Sequence, residues 1–173
     1  PQAGVVVDVG GGTGQLLAAM LAARPCLRGV LYDLPIVVGR AVQVLSERRV
    51  ADRCSIEAGS FFDGVPKHGD VYVLKQVVHD WDDERAGAIL RSCRRCMPPD
   101  AKLLVIERRV PEFNDRAPAA DVFLTDLEML VMTPGGRERT ETEFAMLLAN
   151  AGFKHVRTLA TSSPLYVFEA LPS

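Results

Sequence analysis

The 173-residue chain is 48% hydrophobic and 24% charged, with a formal net charge of −2 and a pI near 6.0. That supplies one real core, and it excludes a nucleic-acid or membrane-surface partner held by bulk charge. No apolar run approaches the ~20 residues that span a bilayer, the opening does not read as a signal peptide, and four cysteines suit a reducing compartment, so a cytoplasmic protein is expected.

Gly4 to Val9 is an apolar run carrying one acid, Asp8, and it breaks into Gly10-Gly11-Gly12-Thr13-Gly14. This reads as a buried strand entering a tight turn. Gly10, Gly12 and Gly14 tolerate positive φ and let a ligand approach the backbone. The amides of the turn and of the following helix point at that ligand. A dinucleotide fingerprint, G-x-G-x-x-G, would need glycine where Gln15 stands. The pattern D-x-G-x-G-x-G instead resembles motif I of the S-adenosylmethionine-dependent methyltransferases. A dinucleotide, or a turn holding no ligand, is the weaker reading.

Leu16, Leu17, Met20 and Leu21 then repeat at helical spacing to about Ala23, before Pro25. Gly29 to Asp33 is a second strand, and Pro35 opens a helix through Val38, Ala41, Val42 and Leu45 to about Arg49. Strands follow from Cys54 to Gly59 and from Asp70 to Lys75. Asp82 is an N-cap for a helix carrying Ala86, Ile89, Leu90, Cys93 and Met97, stopped by Pro98-Pro99. Lys102 to Ile106 is a fifth strand, buried on both faces. Such alternation predicts a parallel sheet with helices on both faces.

The pattern then changes. Residues 110–120 form a polar loop, and Phe123, Leu127, Leu130 and Val131 mark a helix ending at the turn Thr133-Pro134-Gly135-Gly136. Thr140 and Glu143 form a capping box ahead of Phe144, Leu147, Leu148 and Ala151, with Gly152 past the helix end. His155 to Ala160 and Leu165 to Ala170 are strands joined too closely for anything but an antiparallel pair. The expected fold is therefore α/β and Rossmann-like: a mostly parallel seven-stranded sheet ending in an antiparallel hairpin. Cys93 and Cys96 lie within a helical pattern, with no second pair or nearby histidine to complete a zinc site, so they read as buried thiols. No metal is expected.

Ligands of open α/β sheets lie beyond the carboxyl ends of the strands, where strand order reverses. That rule gathers Asp8, Gly10, Gly12 and Gly14 from the first strand, and Asp33 from the second as a partner for ribose hydroxyls. It adds Ser60 and Phe61, then Lys75 with His79-Asp80-Trp81, then Glu107. A lone histidine is usually structural. His79, however, follows a buried strand, has acidic neighbours and precedes a helix N-terminus. An imidazole with an ordinary pKa near ~6.5 is the natural proton acceptor at neutral pH. His68, in a polar turn, and His155, at a strand start, have no such context.

The run Leu74-Lys75-Gln76-Val77-Val78-His79-Asp80-Trp81-Asp82-Asp83-Glu84 resembles the L/M-K-x-x-x-H-D-W-x-D-E segment of the caffeate/flavonoid-type O-methyltransferases, a family with many bacterial antibiotic-tailoring members. Pro134-Gly135-Gly136-Arg137-Glu138-Arg139-Thr140 resembles its P-G-G-x-E-R-T, and Tyr32-Asp33-Leu34-Pro35 its F/Y-D-L-P. The resemblance implies S-adenosylmethionine as cofactor, S-adenosylhomocysteine as product, and a small hydroxylated acceptor, aromatic or polyketide-like. It makes His79 the general base, Glu107 and Glu138 the acids bracketing its imidazole, and Asp80 their neighbour. Gly10, Asp33, Leu34 and Lys75 are implied around the cofactor, and Met129 and Thr133 around the acceptor. One departure stands out. The family has Gly-Asp-Met-Phe where this chain has Gly59-Ser60-Phe61-Phe62, so Ser60 replaces an acid and weaker cofactor binding is expected, unless Asp63 compensates. Family members also carry an N-terminal dimerising domain, which implies that residues 1–173 are the catalytic part of a longer, homodimeric protein. N- or C-methylation, a cofactor-binding relative without transfer, and a non-catalytic interaction module are the alternatives.

Overall fold

The computed structural model describes residues 4–112 and 120–173, the side chains of 120–122 excepted. The polar loop expected at 110–120 lies mostly outside these residues.

Seven strands, β1 (Gly4–Val9), β2 (Leu27–Asp33), β3 (Cys54–Ala58), β4 (Val71–Lys75), β5 (Lys102–Glu107), β6 (Phe153–Ala160) and β7 (Tyr166–Pro172), form one sheet in the order β3-β2-β1-β4-β5-β7-β6. The first five are parallel, and β7 runs antiparallel to both β5 and β6. The closing hairpin therefore returns its second strand into the sheet beside β5 and leaves β6 at the edge. Strand order reverses between β1 and β4, which opens the crevice where the glycine turn lies.

Helices α1 (Gln15–Ala23), α2 (Pro35–Val38) and α3 (Ala41–Glu47) precede β3, α4 (Asp83–Cys96) joins β4 to β5, and α5 (Ala120–Met132) and α6 (Glu141–Asn150) precede the hairpin. The two-residue period of the strands sorts the core into two layers. Val6, Val71 and Val73 pack with Leu17, Leu21, Leu31 and Leu45 on the α1–α3 side. Val7, Val9, Tyr72, Leu74, Leu103 and Val105 pack with Ile89, Leu90, Phe144 and Leu148 on the α4–α6 side. Continuous valine runs are thus buried on both faces at once.

One expected helix is two. The segment from Pro35 to Arg49 breaks between α2 and α3, where Arg40 N–H donates to Val37 O at 3.3 Å in a tighter i→i−3 bond. Gly39 lies at this break and is a weak helix former. The caps behave as their residue types dictate. Asp82 accepts from Arg85 N–H at 2.8 Å to start α4, and Thr140 and Glu143 close a reciprocal capping box on α6. The helix α5 leaves Leu124, Leu127, Leu130, Val131 and Met132 exposed.

Candidate active site

The glycine turn is shaped by what surrounds it. Gly12 has φ 61°, a side chain added there would enter open space, and its N–H donates to Asp33 Oδ2 at 2.8 Å. Gly11 is blocked instead: a Cβ would stand 2.4 Å from Leu31 Cδ1 and 2.7 Å from the Asp8 carboxyl. Asp33 Oδ1 accepts from Leu34 N–H at 2.7 Å, so β2 ends in a carboxylate fixed by two amides and still able to accept further bonds.

Two cavities meet at Gly10. One, lined by Asp8, Gly10, Gly11, Gly12, Thr13, Gln15, Leu16 and Lys75, offers an acid and a cation together. The other, about 330 Å³, is lined by Gly10, Asp33, Leu34, Ser60, Phe61, Phe62, Gln76, Val77, Asp80 and Trp81. Its aromatic wall is a cluster: Phe62 meets Phe61 and Trp81 edge-on at centroid distances of 5.0 Å each, with Arg85 5.2 Å over the Trp81 ring. A charged amino-acid end fits the first cavity, and a flat ring with a diol at Asp33 fits the second. Asp8 is buried, Oδ2 has no hydrogen-bond partner, and burial together with the charge of Asp33 pushes its pKa to about 7 despite Lys75.

Beyond β4 the backbone turns sharply. Gln76 adopts φ 53°, and a single 3₁₀ turn, Val78–Asp80, sets the buried His79 between Val77 and Asp80, two residues that line the second cavity. Glu107, the last residue of neighbouring β5, accepts from Val77, Val78 and His79 N–H at 3.0, 2.8 and 3.4 Å through Oε1. It thereby caps the turn. Its other oxygen stands 3.5 Å from His79 Nδ1. Glu138 arrives on the far side of α5, and its Oε1 lies 3.1 Å from the same Nδ1. Both glutamates therefore address one ring nitrogen, rather than bracketing the ring. Nε2 stands 3.5 Å from Asp80, a half-exposed side chain that lines the second cavity.

The electrostatics follow. Burial lowers the affinity of His79 for a proton, but the Glu138 hydrogen bond and the charges of Glu107, Glu138 and Asp80 outweigh it and leave the pKa above 6.5. Burial raises Glu107 to about 7, with His79 opposing and Glu138 adding to the rise. Glu107 Oε2 and Glu138 Oε2 are buried without hydrogen-bond partners. Ligand-type atoms of His79, Glu107 and Glu138 lie within 4.8 Å of one another, as in a metal site, yet one oxygen of Glu107 is already bonded to the backbone of the turn and one of Glu138 to His79. The arrangement suits proton handling.

Comparison with known proteins decides the family. Residues 2–154 match the model of the O-methyltransferase domain. The chain belongs to this O-methyltransferase domain family. A phenazine O-methyltransferase of Lysobacter antibioticus is 47% identical over 167 residues, 96% of this chain and 48% of that protein. A mitomycin biosynthesis 6-O-methyltransferase of Streptomyces lavendulae is 46% identical over 157 residues, covering 91% of this chain and 44% of that protein. A solved O-methyltransferase from neocarzinostatin biosynthesis, in complex with S-adenosylmethionine and 2-hydroxy-5-methyl naphthoic acid, superposes with a TM-score of 0.88 at 36% identity, over 98% of this chain and 49% of that one. The chain spans about half the length of the curated relatives it matches.

Most residues singled out from the sequence gather in this crevice. Asp8, Gly10, Gly12, Asp33, Leu34, Ser60, Phe61, Lys75 and Asp80 line the two cavities, and His79, Glu107 and Glu138 stand behind them. Three do not. Gly14, at φ 78°, is the N-cap residue of α1 and faces Leu31 and Leu45. Met129 and Thr133 line neither cavity, and the Thr133 hydroxyl is spent, donating to Met129 O at 2.7 Å and accepting from Gly136 N–H at 2.8 Å. Sequence reasoning missed Phe62, Gln76 and Val77 on the wall, and Asp126, which accepts from Glu138 N–H at 2.8 Å. Phe62 sits directly beside Phe61 and was within reach; Asp126 gave no local signal.

Proposed function

We propose that the chain is the cofactor-binding and chemical unit of an S-adenosylmethionine-dependent O-methyltransferase acting on a small hydroxylated aromatic, with His79 as general base. The observation that carries this reading is the oriented imidazole: Nδ1 held at 3.1 Å by Glu138, Nε2 3.5 Å from Asp80, which lines the second cavity. Relatives named as phenazine and mitomycin biosynthesis O-methyltransferases, and one solved in complex with a hydroxy-naphthoic acid, support an aromatic acceptor.

The residues fit the cofactor. Asp8 and Lys75 offer opposite charges to its amino-acid end, Asp33 can accept from the ribose, and Ser60, Phe61 and Leu34 can enclose the base. When bound, S-adenosylmethionine supplies a methyl group already activated on a sulfonium.

The chain must then hold the acceptor and manage its proton. A phenol has a pKa near ~10, so little phenolate exists at neutral pH. His79 Nε2 takes that proton as the oxygen reacts, which contributes ~10²–10⁴-fold. The Nδ1 proton stays on the Glu138 side, so the tautomer is fixed and the imidazolium meets two carboxylates. Glu107 keeps the turn in place while adding charge. A homodimer of the whole protein, an additional segment completing the acceptor pocket, and a cytoplasmic setting belong to the same reading.

The test pairs binding with turnover. Calorimetry with S-adenosylmethionine should show binding that Asp33→Ala weakens at least tenfold, the loss of one charge-assisted contact or more. S-adenosylhomocysteine should form when phenolic acceptors are supplied. Silence in calorimetry, or binding indifferent to Asp33, would overturn the proposal.

A further inference from the structure

We propose that Arg139 is a positioning residue for His79, fixing from behind the turn that carries the base. The inference rests on the reading of His79 given above and adds a residue that does not itself reach the crevice.

Arg139 is the largest fully buried side chain among the described residues, and it is a cation. Burying a guanidinium is tolerated only when its donors are met. Here four hydrogen bonds and an ion pair meet the guanidinium. Nε donates to Asp83 Oδ1 at 2.9 Å, and Nη2 reaches the same oxygen at 2.9 Å. Nη1 donates to Val78 O at 3.2 Å and Arg137 O at 3.3 Å, and Nη2 to Trp81 O at 2.8 Å. Val78 and Trp81 flank His79-Asp80. The fork therefore grips the backbone on both sides of the base and ties it to the first turn of α4.

The neighbouring residues complete the grip. Arg137 N–H donates to His79 O at 2.9 Å, and a Cβ at Gly136 would stand 2.4 Å from that same oxygen. Arg139 bridges to Arg109 just beyond β5, and Val110 N–H donates to Arg139 O at 2.9 Å. That bridge brings the segment bearing Glu138 alongside the strand that ends in Glu107. Glu138 orients the ring, and the next residue fixes the backbone beneath it.

Two variants test this in the whole protein. Arg139→Lys keeps the charge but offers three donors on a flexible stem, too few to hold the same five contacts. Asp83→Asn is at an exposed position and removes the anion that Arg139 shares with Arg137. The readouts are the His79 titration by NMR, assigned with His79→Gln, together with kcat, acceptor KM and S-adenosylmethionine affinity. In Arg139→Lys the His79 titration should move down, kcat should fall roughly 10- to 100-fold, and cofactor affinity should stay within about twofold. Asp83→Asn should change the first two in the same direction, by about two- to fivefold in kcat.

An unmoved His79 titration and parental kcat in folded Arg139→Lys would overturn the proposal. If Arg139→Lys does not fold, the same result in Asp83→Asn overturns it. Loss of cofactor affinity in step with kcat would also overturn it, since that is general damage. The base assignment fails separately: His79→Gln would then turn over normally, while the titration still reports whether Arg139 holds the ring.

Discussion

Glu138→Gln isolates the chemical part of the site. The substitution keeps the shape and removes one charge at 3.1 Å from His79 Nδ1. A hydrogen bond to a charged group is worth ~1.5–3 kcal/mol, and each ~1.4 kcal/mol is tenfold in rate. If that interaction matures with the imidazolium, kcat should fall roughly 10- to 150-fold. The direction in pH is also fixed. Glu138 helps raise the His79 pKa, so its loss makes the imidazole harder to protonate, and the acid limb of the kcat profile should move to lower pH. Affinity for S-adenosylmethionine should not change, because Glu138 lines neither cavity. The assay is initial-rate methyl transfer across pH 5 to 9 with calorimetry alongside. A parental kcat with an unshifted acid limb would refute the orienting role of Glu138.

Four further outcomes follow. Glu107→Ala should lose stability as well as rate, because it removes the oxygen that caps Val77 and Val78 N–H; melting curves distinguish it from Glu138→Gln. Gly11→Ala should abolish cofactor binding, since its Cβ would collide with Asp8 and Leu31, and calorimetry reads this directly. Ser60→Asp should tighten S-adenosylmethionine binding by up to about tenfold through a charged acceptor, while an aspartate can still accept from Phe62 N–H. Asp8 and Glu107 both have pKa values raised to about 7 by burial, so their neutral forms favour the fold below ~4 and that stability is lost as pH climbs through 7. Without cofactor, Tm should therefore drop between pH 5 and pH 8, by ~2–4 °C per kcal/mol, and Asp8→Asn should remove part of the drop.

Much of the fold was legible because burial writes itself into spacing. The apolar runs at Val5-Val6-Val7 and Leu103-Leu104-Val105 mark strands covered on both faces, and Thr140 with Glu143 marks a helix start through its own hydrogen bonds. The split between α2 and α3 was not legible, because Val38, Ala41 and Leu45 keep helical spacing across it. Nor was the return of β7 beside β5, which depends on pairing between distant segments. At the site, the strand-end rule brought forward Asp33, Lys75, His79 and Glu107. It could not show that Glu107 and Glu138 share Nδ1, because that depends on a parallel bridge between Arg109 and Arg139. Arg139 stood in a quoted motif, yet a buried arginine and an exposed one look alike in sequence.

The central claim is that His79 takes the acceptor's proton. Its most direct test is methyl transfer by His79→Gln, with S-adenosylmethionine affinity measured on the same preparation. Unchanged cofactor affinity with turnover reduced by at least ~10²-fold is the predicted result. Near-parental turnover at equal cofactor occupancy would contradict it.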